Sequence, residues 1–230
     1  MANPYPQIAI DGPAGTGKST VARRVAQALG YTFVDTGALY RCVALASLHE
    51  RVGLNRPLTI GALARQAVIR FGPLSDEGQQ VWLGDEDVTA RIRERDVDNL
   101  CSPVSAIPEV REALLGQQQA FAQRGPVVME GRDIQTVVLP TADVKVFLTA
   151  SPTVRAQRRY EQLTADANVT LAEIEANVRE RDERDSARSL APLRAADDAV
   201  VIDTDYLTIE QVTRRIIDLA TRAPGGGDGD

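Results

Sequence analysis

The chain has too few cysteines and histidines for the chemistry that depends on clusters of them. Cys42 and Cys101 are its two cysteines, too few for a disulfide framework and without metal-ligand spacing. His49 is the single histidine, which leaves no partner for a histidine-based metal cluster and argues against a histidine-driven catalytic triad. We therefore expect two buried thiols, a histidine at a helix surface or half-buried, and a reducing compartment.

Long apolar runs and an excess of basic residues are also lacking. No stretch approaches the roughly 20 apolar residues of a membrane span, and residues 1–7 have neither the basic nor the apolar segment of a signal peptide. The formal net charge is −6, so a broad basic surface for nucleic acid is not expected and any basic site must be local. We expect a soluble cytoplasmic monomer with neither nucleic acid nor membrane as a partner.

The order of apolar patterns indicates an α/β fold. With 230 residues and 43% hydrophobic content, the chain can bury one sizeable core. Short apolar runs, read as strands, alternate with segments of helical spacing. This alternation predicts a three-layer α/β fold with a mostly parallel sheet. The predicted strands are 7–11, 31–34, 127–130, 144–148 and 200–203, and the predicted helices begin at 18, 37, 108, 152, 170 and 208.

One stretch interrupts this alternation. The runs VIRF (68–71) and VWL (81–83) are typical of strands, and the turn-rich GPLSDEG separates them. Residues 58–100 are therefore predicted to form an inserted domain with a small antiparallel sheet, within a core of 1–57 and 101–222. The tail APGGGDGD (223–230) has nothing to pack and is predicted to be disordered.

A phosphate-binding motif lies between the first predicted strand and helix. Residues 12–19 read GPAGTGKS, which satisfies G-x-x-x-x-G-K-[ST] at every fixed position. Its glycines let the backbone wrap around an anion, Lys18 can follow the β- and γ-phosphates, and the Ser19 hydroxyl is placed to ligate Mg²⁺. The motif alone does not separate a kinase from a switch GTPase or a motor ATPase. We predict that ATP is held by Gly12, Pro13, Ala14, Gly15, Thr16, Gly17, Lys18, Ser19 and Thr20.

Arginines gather after the predicted strands of this acidic chain. Guanidinium groups match phosphate oxygens bidentately, so the pattern favours a protein that handles more than one phosphate group, as phosphoryl transfer requires. The alternative for the last group is a solvated helix face on which arginines pair with neighbouring acids. Three of its members share one helix face at i, i+3 and i+7 and could line a cleft. The groups are Arg132; Arg155, Arg158 and Arg159; and Arg179, Arg181, Arg184 and Arg188.

Taken together, the motifs resemble those of bacterial cytidylate kinases, from about Ile8 to Ala220. The insertion also looks like the enlarged nucleoside-monophosphate-binding domain of that family. Two small departures are Thr36, where members often have Ser, and Glu130, where they often have Asp. The matching segments are IDGPAGTGKST (10–20), VDTGALYR (34–41), VREALL (110–115), EGRDIQTVV (130–138), RDERDSAR (181–188), and APL with ADDAVVIDT beyond it (191–204).

The resemblance implies transfer of the γ-phosphoryl group of ATP to CMP and dCMP, with Mg²⁺ as the metal. It implies that Ser102, Arg111 and Asp133 meet the cytosine edge, and that Thr36 and Asp185 lie near the ribose. A carboxylate suits this base because it can accept from the cytosine amino group. The acceptor phosphate is assigned to Arg41, Arg132, Arg181 and Arg188. It implies that Lys18, Arg132, Arg158 and Arg184 are the charge-neutralising catalytic residues. It also implies the P-loop NTPase fold, with a mobile helical lid at about 153–187 that carries Arg155, Arg158 and Arg159.

Alternatives stay open at this point. Ser102 could be only a helix cap, and Arg41 and Arg111 only surface residues. A nucleotide-dependent switch module would bind partners and show slow hydrolysis without an acceptor. A P-loop kinase for another nucleotide or a metabolite is the second alternative, against which the pair of Asp133 and Arg111 argues because it suits a pyrimidine edge.

Overall fold

The chain divides into two compact units. The structure, a computed structural model, describes residues 5–75, 78–162, 169–188 and 190–223. One unit, here called the core unit, comprises the described parts of 1–32 and 125–230, and the second unit is Phe33–Arg124. Apart from Ala223, the predicted disordered tail lies outside the described residues.

Strands and helices alternate through most of the chain. The strands are β1 (Gln7–Asp11), β2 (Thr32–Asp35), β3 (Ile69–Ser75), β4 (Gly78–Leu83), β5 (Glu86–Asp87), β6 (Val127–Gly131), β7 (Val144–Thr149) and β8 (Val200–Asp203). The helices are α1 (Lys18–Leu29), α2 (Thr36–His49), α3 (Pro57–Gln66), α4 (Arg95–Val104), α5 (Pro108–Ala122), α6 (Pro152–Glu161), α7 (Leu171–Ser186) and α8 (Ile209–Arg222). A short 3₁₀ helix spans Arg91–Arg93, and a π-helical turn spans Ile134–Val138.

A five-stranded parallel sheet in the order β2-β6-β1-β7-β8 confirms the predicted α/β class and sheet. Every residue of β1 and β6 is buried, as expected for parallel strands covered on both faces. In the register of the central strands, Asp11 lies opposite Gly131 of β6 and Phe147 of β7. The carboxyl ends of these strands therefore meet at one edge, where α/β sheets bind ligands.

The helices of the core unit begin where their capping residues predict. The Ser151 hydroxyl accepts from the Val154 amide at the start of α6. Capping boxes, Thr170 with Glu173 and Thr208 with Gln211, are present at the starts of α7 and α8, the two helices predicted to begin at 170 and 208. α1 packs against α8, and α6 against α7, the latter pair around Ala156, Ile174 and Val178.

The second unit contains a three-stranded antiparallel sheet in the order β3-β4-β5, as predicted. The predicted turn was partly wrong, because β3 continues through residues 72–75 with a register shift between Phe71 and Leu74. The sequence interpretation also missed α3 and α4. Helices α2 to α5 and the sheet share one apolar core, which includes Leu39, Ile60 and Leu114.

Three further expectations concern burial and membranes. Cys42 and Cys101 are both buried and unpaired with each other, as predicted. His49 is exposed as the last residue of α2. Within the described ranges, no helix is both long enough and apolar enough to cross a membrane.

Candidate functional site

The loop between β1 and α1 has the backbone of an anion cradle. Gly12 has φ +148°, and a Cβ at this position would lie 2.1 Å from the Leu148 carbonyl oxygen, so the loop requires glycine here. Gly17 precedes α1 in the left-handed conformation, and no side chain caps the helix. The first turn of α1 contains no acidic residue. Its amides and dipole therefore favour an anion at this end.

Lys18 is held inside this loop. Its side chain donates to the Pro13 carbonyl at 2.8 Å, and the residue is only 5% exposed. The Thr16 hydroxyl donates to the same carbonyl at 3.1 Å. Burial, together with the positive charges of Arg132 and Arg181, lowers the pKa of the Lys18 ammonium to about 7. A nearby anion would restore the charged form, so this lysine is suited to phosphate.

Ser19 and Glu130 provide oxygen ligands next to Lys18. The Ser19 hydroxyl donates to the Glu130 carboxylate at 2.5 Å, and Glu130 is a buried residue near the end of β6. Among the described residues, no group of three or more His, Cys, Asp or Glu forms a cage for a metal. One hydroxyl and one carboxylate fit Mg²⁺, which is commonly held by few protein ligands together with substrate phosphates. The sequence interpretation assigned only Ser19 to the metal.

Three of the predicted acceptor residues meet around one carboxylate. Asp185 is 2% exposed and accepts from Arg132 Nε at 3.0 Å and from Arg188 Nη2 at 2.5 Å. Burial alone raises the pKa of this carboxyl group, but Arg132, Arg188 and Arg181 outweigh it and hold the pKa below its ordinary value. Asp185 thus stays ionised and fixes Arg132, which follows β6, and Arg188, which follows α7. We call Arg132, Arg181, Asp185 and Arg188 the arginine cluster.

The remaining arginines of α7 face solvent. Arg184 pairs with Glu180 and Arg179 with Glu175, each one helical turn apart, and both arginine side chains are at least 42% exposed. The solvated-face alternative therefore describes these two residues, whereas Arg181 and Arg188 belong to the arginine cluster. The sequence indicated one row of Arg181, Arg184 and Arg188. In the structure, Arg184 faces solvent, whereas the other two belong to the arginine cluster.

The arginines of α6 hold the phosphate-binding loop from the side. Arg155 is 2% exposed, donates to the Ala14 carbonyl at 3.1 Å, and forms a bidentate pair with Asp182 of α7. Arg158 donates to the Thr204 carbonyl at 2.6 Å and to its hydroxyl at 3.0 Å. Thr204 in turn donates to the Thr16 carbonyl at 3.4 Å. These contacts join α6, α7 and the end of β8 to the loop.

Asp133 is buried directly after Arg132. It is 4% exposed, and its carbonyl accepts from the Val137 and Val138 amides of the π-helical turn. Burying a carboxylate costs free energy unless polar groups hydrogen-bond to it, so Asp133 is suited to specific polar contacts rather than to solvent. The structure thus places two predicted acceptor residues, Arg132 and Asp133, side by side at this edge.

Arg41 and Thr36 lie at the start of α2 in the second unit. The Asp35 carboxylate caps this helix by accepting from the Ala38 amide at 3.1 Å. Thr36 follows it and is 3% exposed. Arg41 Nη2 lies 3.5 Å from Asp98 of α4, with both side chains mostly buried. Arg41 is therefore not an ordinary surface residue.

Arg111 and Ser102 belong to α5 and α4 of the second unit. The Arg111 guanidinium lies 5.6 Å from the centre of the Tyr40 ring and donates to the Ser105 carbonyl at 3.1 Å. Ser102 is 6% exposed and lies inside α4, so the alternative that it only caps a helix is wrong. These residues present a guanidinium and a hydroxyl on neighbouring helices.

Sequence reasoning missed several partners of the predicted residues. Asp11, Asp182 and Thr204 received no role, although each contacts the loop, the π-helical turn or an α6 arginine. Of the three, Asp11 was the easiest to predict from the sequence, because a carboxylate at the end of a buried strand needs a hydrogen-bond partner. Asp182 was mentioned only as part of a charged helix face.

These features define a class. The core unit combines a glycine-dependent anion cradle, a buried lysine inside it and an arginine cluster. This combination is typical of a P-loop nucleotide-binding protein that handles several phosphate groups. The fold alone occurs widely. A solved structure of an uncharacterized protein from Eubacterium ventriosum aligns over 94% of this chain and 97% of its own length with a TM-score of 0.50 at 12% identity.

The comparisons with known proteins specify the class further. The family model for cytidylate kinase matches residues 8–222. The cytidylate kinase of Exiguobacterium sibiricum is 46% identical over 218 residues, covering 94% of this chain and 97% of that protein. The cytidylate kinase of Streptococcus equi is 47% identical over 229 residues, covering 93% and 98%. The chain therefore belongs to the cytidylate kinase family, and its activity is that of a cytidylate kinase, a phosphotransferase acting on a nucleoside monophosphate.

Proposed function

We propose that this chain transfers the γ-phosphoryl group of ATP to CMP and dCMP, giving ADP and CDP or dCDP. The observation that carries the proposal is the buried Lys18 in its anion cradle, within one compact unit with the arginine cluster. Phosphoryl transfer depends on positioning and charge stabilisation, which buried cationic groups supply well. The acceptor phosphate is already ionised near neutral pH, so the reaction needs no general base.

The donor nucleotide is assigned to the loop of residues 12–20. The amides at the start of α1 receive the phosphates of ATP, and Lys18 neutralises charge on the group that is transferred. Ser19 and Glu130 would hold Mg²⁺, which supplies charge neutralisation between the phosphates when it is bound. Gly12 and Gly17 keep the backbone close to the anion because neither position tolerates a side chain in its observed conformation.

The acceptor phosphate is assigned to Arg132, Arg181 and Arg188, which belong to the arginine cluster, and, on the family resemblance alone, to Arg41. Asp185 and Thr36 would serve the ribose, since both are polar and almost fully buried. Asp185 has a second role, which is to hold two of those arginines in place.

Base recognition is assigned to Asp133, Ser102 and Arg111. The Asp133 carboxylate accepts from the amino group of cytosine, where uracil presents a carbonyl oxygen that repels it. Arg111 is oriented by the Tyr40 ring and the Ser105 carbonyl, which leaves it a narrow range of directions. The proposal therefore includes a preference for CMP over UMP.

The lid is assigned to about 153–187, of which residues 163–168 lie outside the described residues. In the proposal, Arg158 and Arg184 neutralise donor phosphate charge when the lid closes, which also excludes water. The insertion 58–100 is proposed as the nucleoside-monophosphate-binding domain, because it contains the antiparallel sheet. We further propose a cytoplasmic monomer, a setting that two buried thiols outside any disulfide suit.

Replacement of Asp133 tests the proposed base recognition. Asp133→Ala should lower the ratio of kcat/KM for CMP to that for UMP by about 10- to 100-fold, because a good pairing to a base edge is worth about 1–3 kcal/mol. The matched control is Asp143→Ala, an exposed aspartate of the same unit. The assignment fails if the Asp133 variant keeps the preference of the unaltered enzyme while both variants remain folded.

A further inference from the structure

Asp11 accepts two backbone hydrogen bonds that have no part in the proposed function. It is the last residue of β1, directly before Gly12, and it is fully buried. Its Oδ1 accepts from the Ile134 amide at 3.0 Å, and its Oδ2 accepts from the Gln135 amide at 2.8 Å. Both carboxylate oxygens are thus bound to successive amides 123 and 124 residues away in sequence. Such charge-assisted bonds are about twice as strong as neutral ones.

The amides in question begin the π-helical turn that follows Arg132 and Asp133. Single π-helical turns are rare and often occur at functional sites, since the wide turn places its backbone unusually. Gln135 anchors the same turn through its buried side chain, which donates to the Val146 carbonyl at 3.3 Å and accepts from the Ala196 amide at 3.0 Å. The turn is therefore fixed to β1, to β7 and to the segment before β8.

Burial of the Asp11 carboxyl group works against the stability of the fold, whereas its hydrogen bonds to the two amides favour the charged form. Burial, aided by the charge of Asp133, raises the pKa of Asp11 to about 6 despite its hydrogen bonds to the two amides. Burying a carboxyl group that resists ionisation costs free energy, so packing alone does not explain an aspartate at this position. Its presence here is consistent with a requirement for the fixed position of the turn.

We propose that Asp11 is a positioning residue that aligns Arg132 and Asp133 with the acceptor nucleotide. It does so by fixing the amides of Ile134 and Gln135 at the point where the phosphate-binding loop begins. One residue thereby connects the donor loop, through the peptide bond to Gly12, with the turn that directly follows two acceptor residues. This inference rests on the proposed roles of Arg132 and Asp133 in binding CMP.

Asp11→Asn is the direct test, because the side chain keeps its shape. The amide oxygen of asparagine can accept from one of the two backbone amides, but its NH₂ group opposes the other. With the full-length enzyme, we expect the KM for CMP to rise at least 10-fold, while the KM for ATP stays within twofold. A residue that only supported the fold would change both constants or lower only the amount of active enzyme.

Asp143→Asn is the matched control. Asp143 also accepts from a backbone amide of β1, that of Gln7 at 2.7 Å, but at the opposite end of the strand. This variant should leave both KM values within twofold of the unaltered enzyme. Equal changes in both KM values of the Asp11 variant, or no change in either, would overturn the proposal. If Asp11→Asn does not fold, Gln135→Met removes the second anchor and should produce the same selective rise for CMP.

Backbone amide exchange separates this proposal from the proposed function. In Asp11→Asn, hydrogen exchange at Ile134 and Gln135 should be at least 10-fold faster than in the unaltered enzyme, with exchange in α8 unchanged. Unchanged exchange at both amides would refute the anchoring, whatever the kinetics. Should Asp133→Ala keep its preference for CMP, base recognition fails, and faster exchange together with a selective rise in the KM for CMP would still support the role of Asp11 through Arg132.

Discussion

Replacing Lys18 by methionine should make the nucleotide-free protein more stable and the enzyme inactive. The buried ammonium has its pKa lowered from 10.5 to about 7 by burial and by Arg132 and Arg181. One pKa unit is worth about 1.4 kcal/mol, so keeping Lys18 charged in the folded protein costs up to about 5 kcal/mol. Methionine has a similar length and carries no charge, which removes this cost.

The loss of one hydrogen bond opposes this gain only in part. The Pro13 carbonyl, which accepts from Lys18 at 2.8 Å, keeps the Thr16 hydroxyl as a donor at 3.1 Å. The lost bond is therefore worth about 1 kcal/mol. We expect a net stabilisation of about 2–4 kcal/mol at pH 6, or roughly 5–15 °C in Tm for a domain of this size.

The pH dependence gives this prediction a second test. Below pH 7, Lys18 is charged in the folded and unfolded states, and the cost is complete. Between pH 7 and 10.5, the unfolded protein keeps a proton that the folded protein has lost, so the stability of the unaltered protein rises with pH through this group. The stability difference between Lys18→Met and the unaltered protein should accordingly shrink from pH 6 to pH 9.

Thermal unfolding without nucleotide and turnover with ATP and CMP are the measurements. Turnover should fall at least 100-fold, because Lys18 stabilises charge on the transferring group. Lower stability of the variant at pH 6, or a stability difference that does not change with pH, would refute the conclusion that the buried charge of Lys18 destabilises the nucleotide-free protein. Near-normal turnover would refute its catalytic role.

Two other predictions concern the loop and the last helix. Gly12→Ala should destabilise the protein by more than about 3 kcal/mol and abolish ATP binding, measured by Tm and by nucleotide titration, because a Cβ would lie 2.1 Å from the Leu148 carbonyl oxygen. Retained ATP affinity would contradict the requirement for glycine. Thr208→Ala removes the side chain that caps α8 and should cost about 0.5–2 kcal/mol in urea unfolding without changing kcat, whereas Thr221→Ala at the other end of α8 should cost less. Equal losses in the two threonine variants would count against a specific capping contribution.

The sequence was most informative where structure depends on neighbouring residues. The phosphate-binding loop occupies eight consecutive positions, and each capping box lies within four, so both could be predicted from local pattern. The parallel sheet followed from buried apolar runs such as β6, which needed no knowledge of partners. The parallel sheet and the capped helix starts are the parts that the structure confirmed.

Prediction failed where packing overrides local preference. Gly61 lowers the helical preference of its segment, yet it lies inside α3. A Cβ at this position would lie 2.5 Å from Glu109 Cβ of α5, so the close packing of the two helices requires glycine here. The strand β3 continues through Gly72 and Pro73, which the pattern indicated as a turn, because a register shift accommodates them. Neither contact is visible in the local sequence.

The candidate site shows the same division. The sequence identified the arginines as phosphate residues but could not say which would meet, because Asp185 draws in Arg132 from 53 residues away while Arg184 pairs locally with Glu180. The role of Asp11 depends on a contact across 123 residues. Such long-range pairs follow from the order of the strands in the sheet, which a single sequence does not specify.

The central claim is that two nucleotides are bound together so that a phosphoryl group passes between them. Formation of ADP from ATP by the purified enzyme, measured with each nucleoside monophosphate in turn and with none, tests it most directly. We predict rapid ADP formation with CMP and dCMP, matched by equal amounts of CDP or dCDP, and negligible ADP formation without an acceptor. Consumption of ATP at the same rate with and without CMP would contradict the claim.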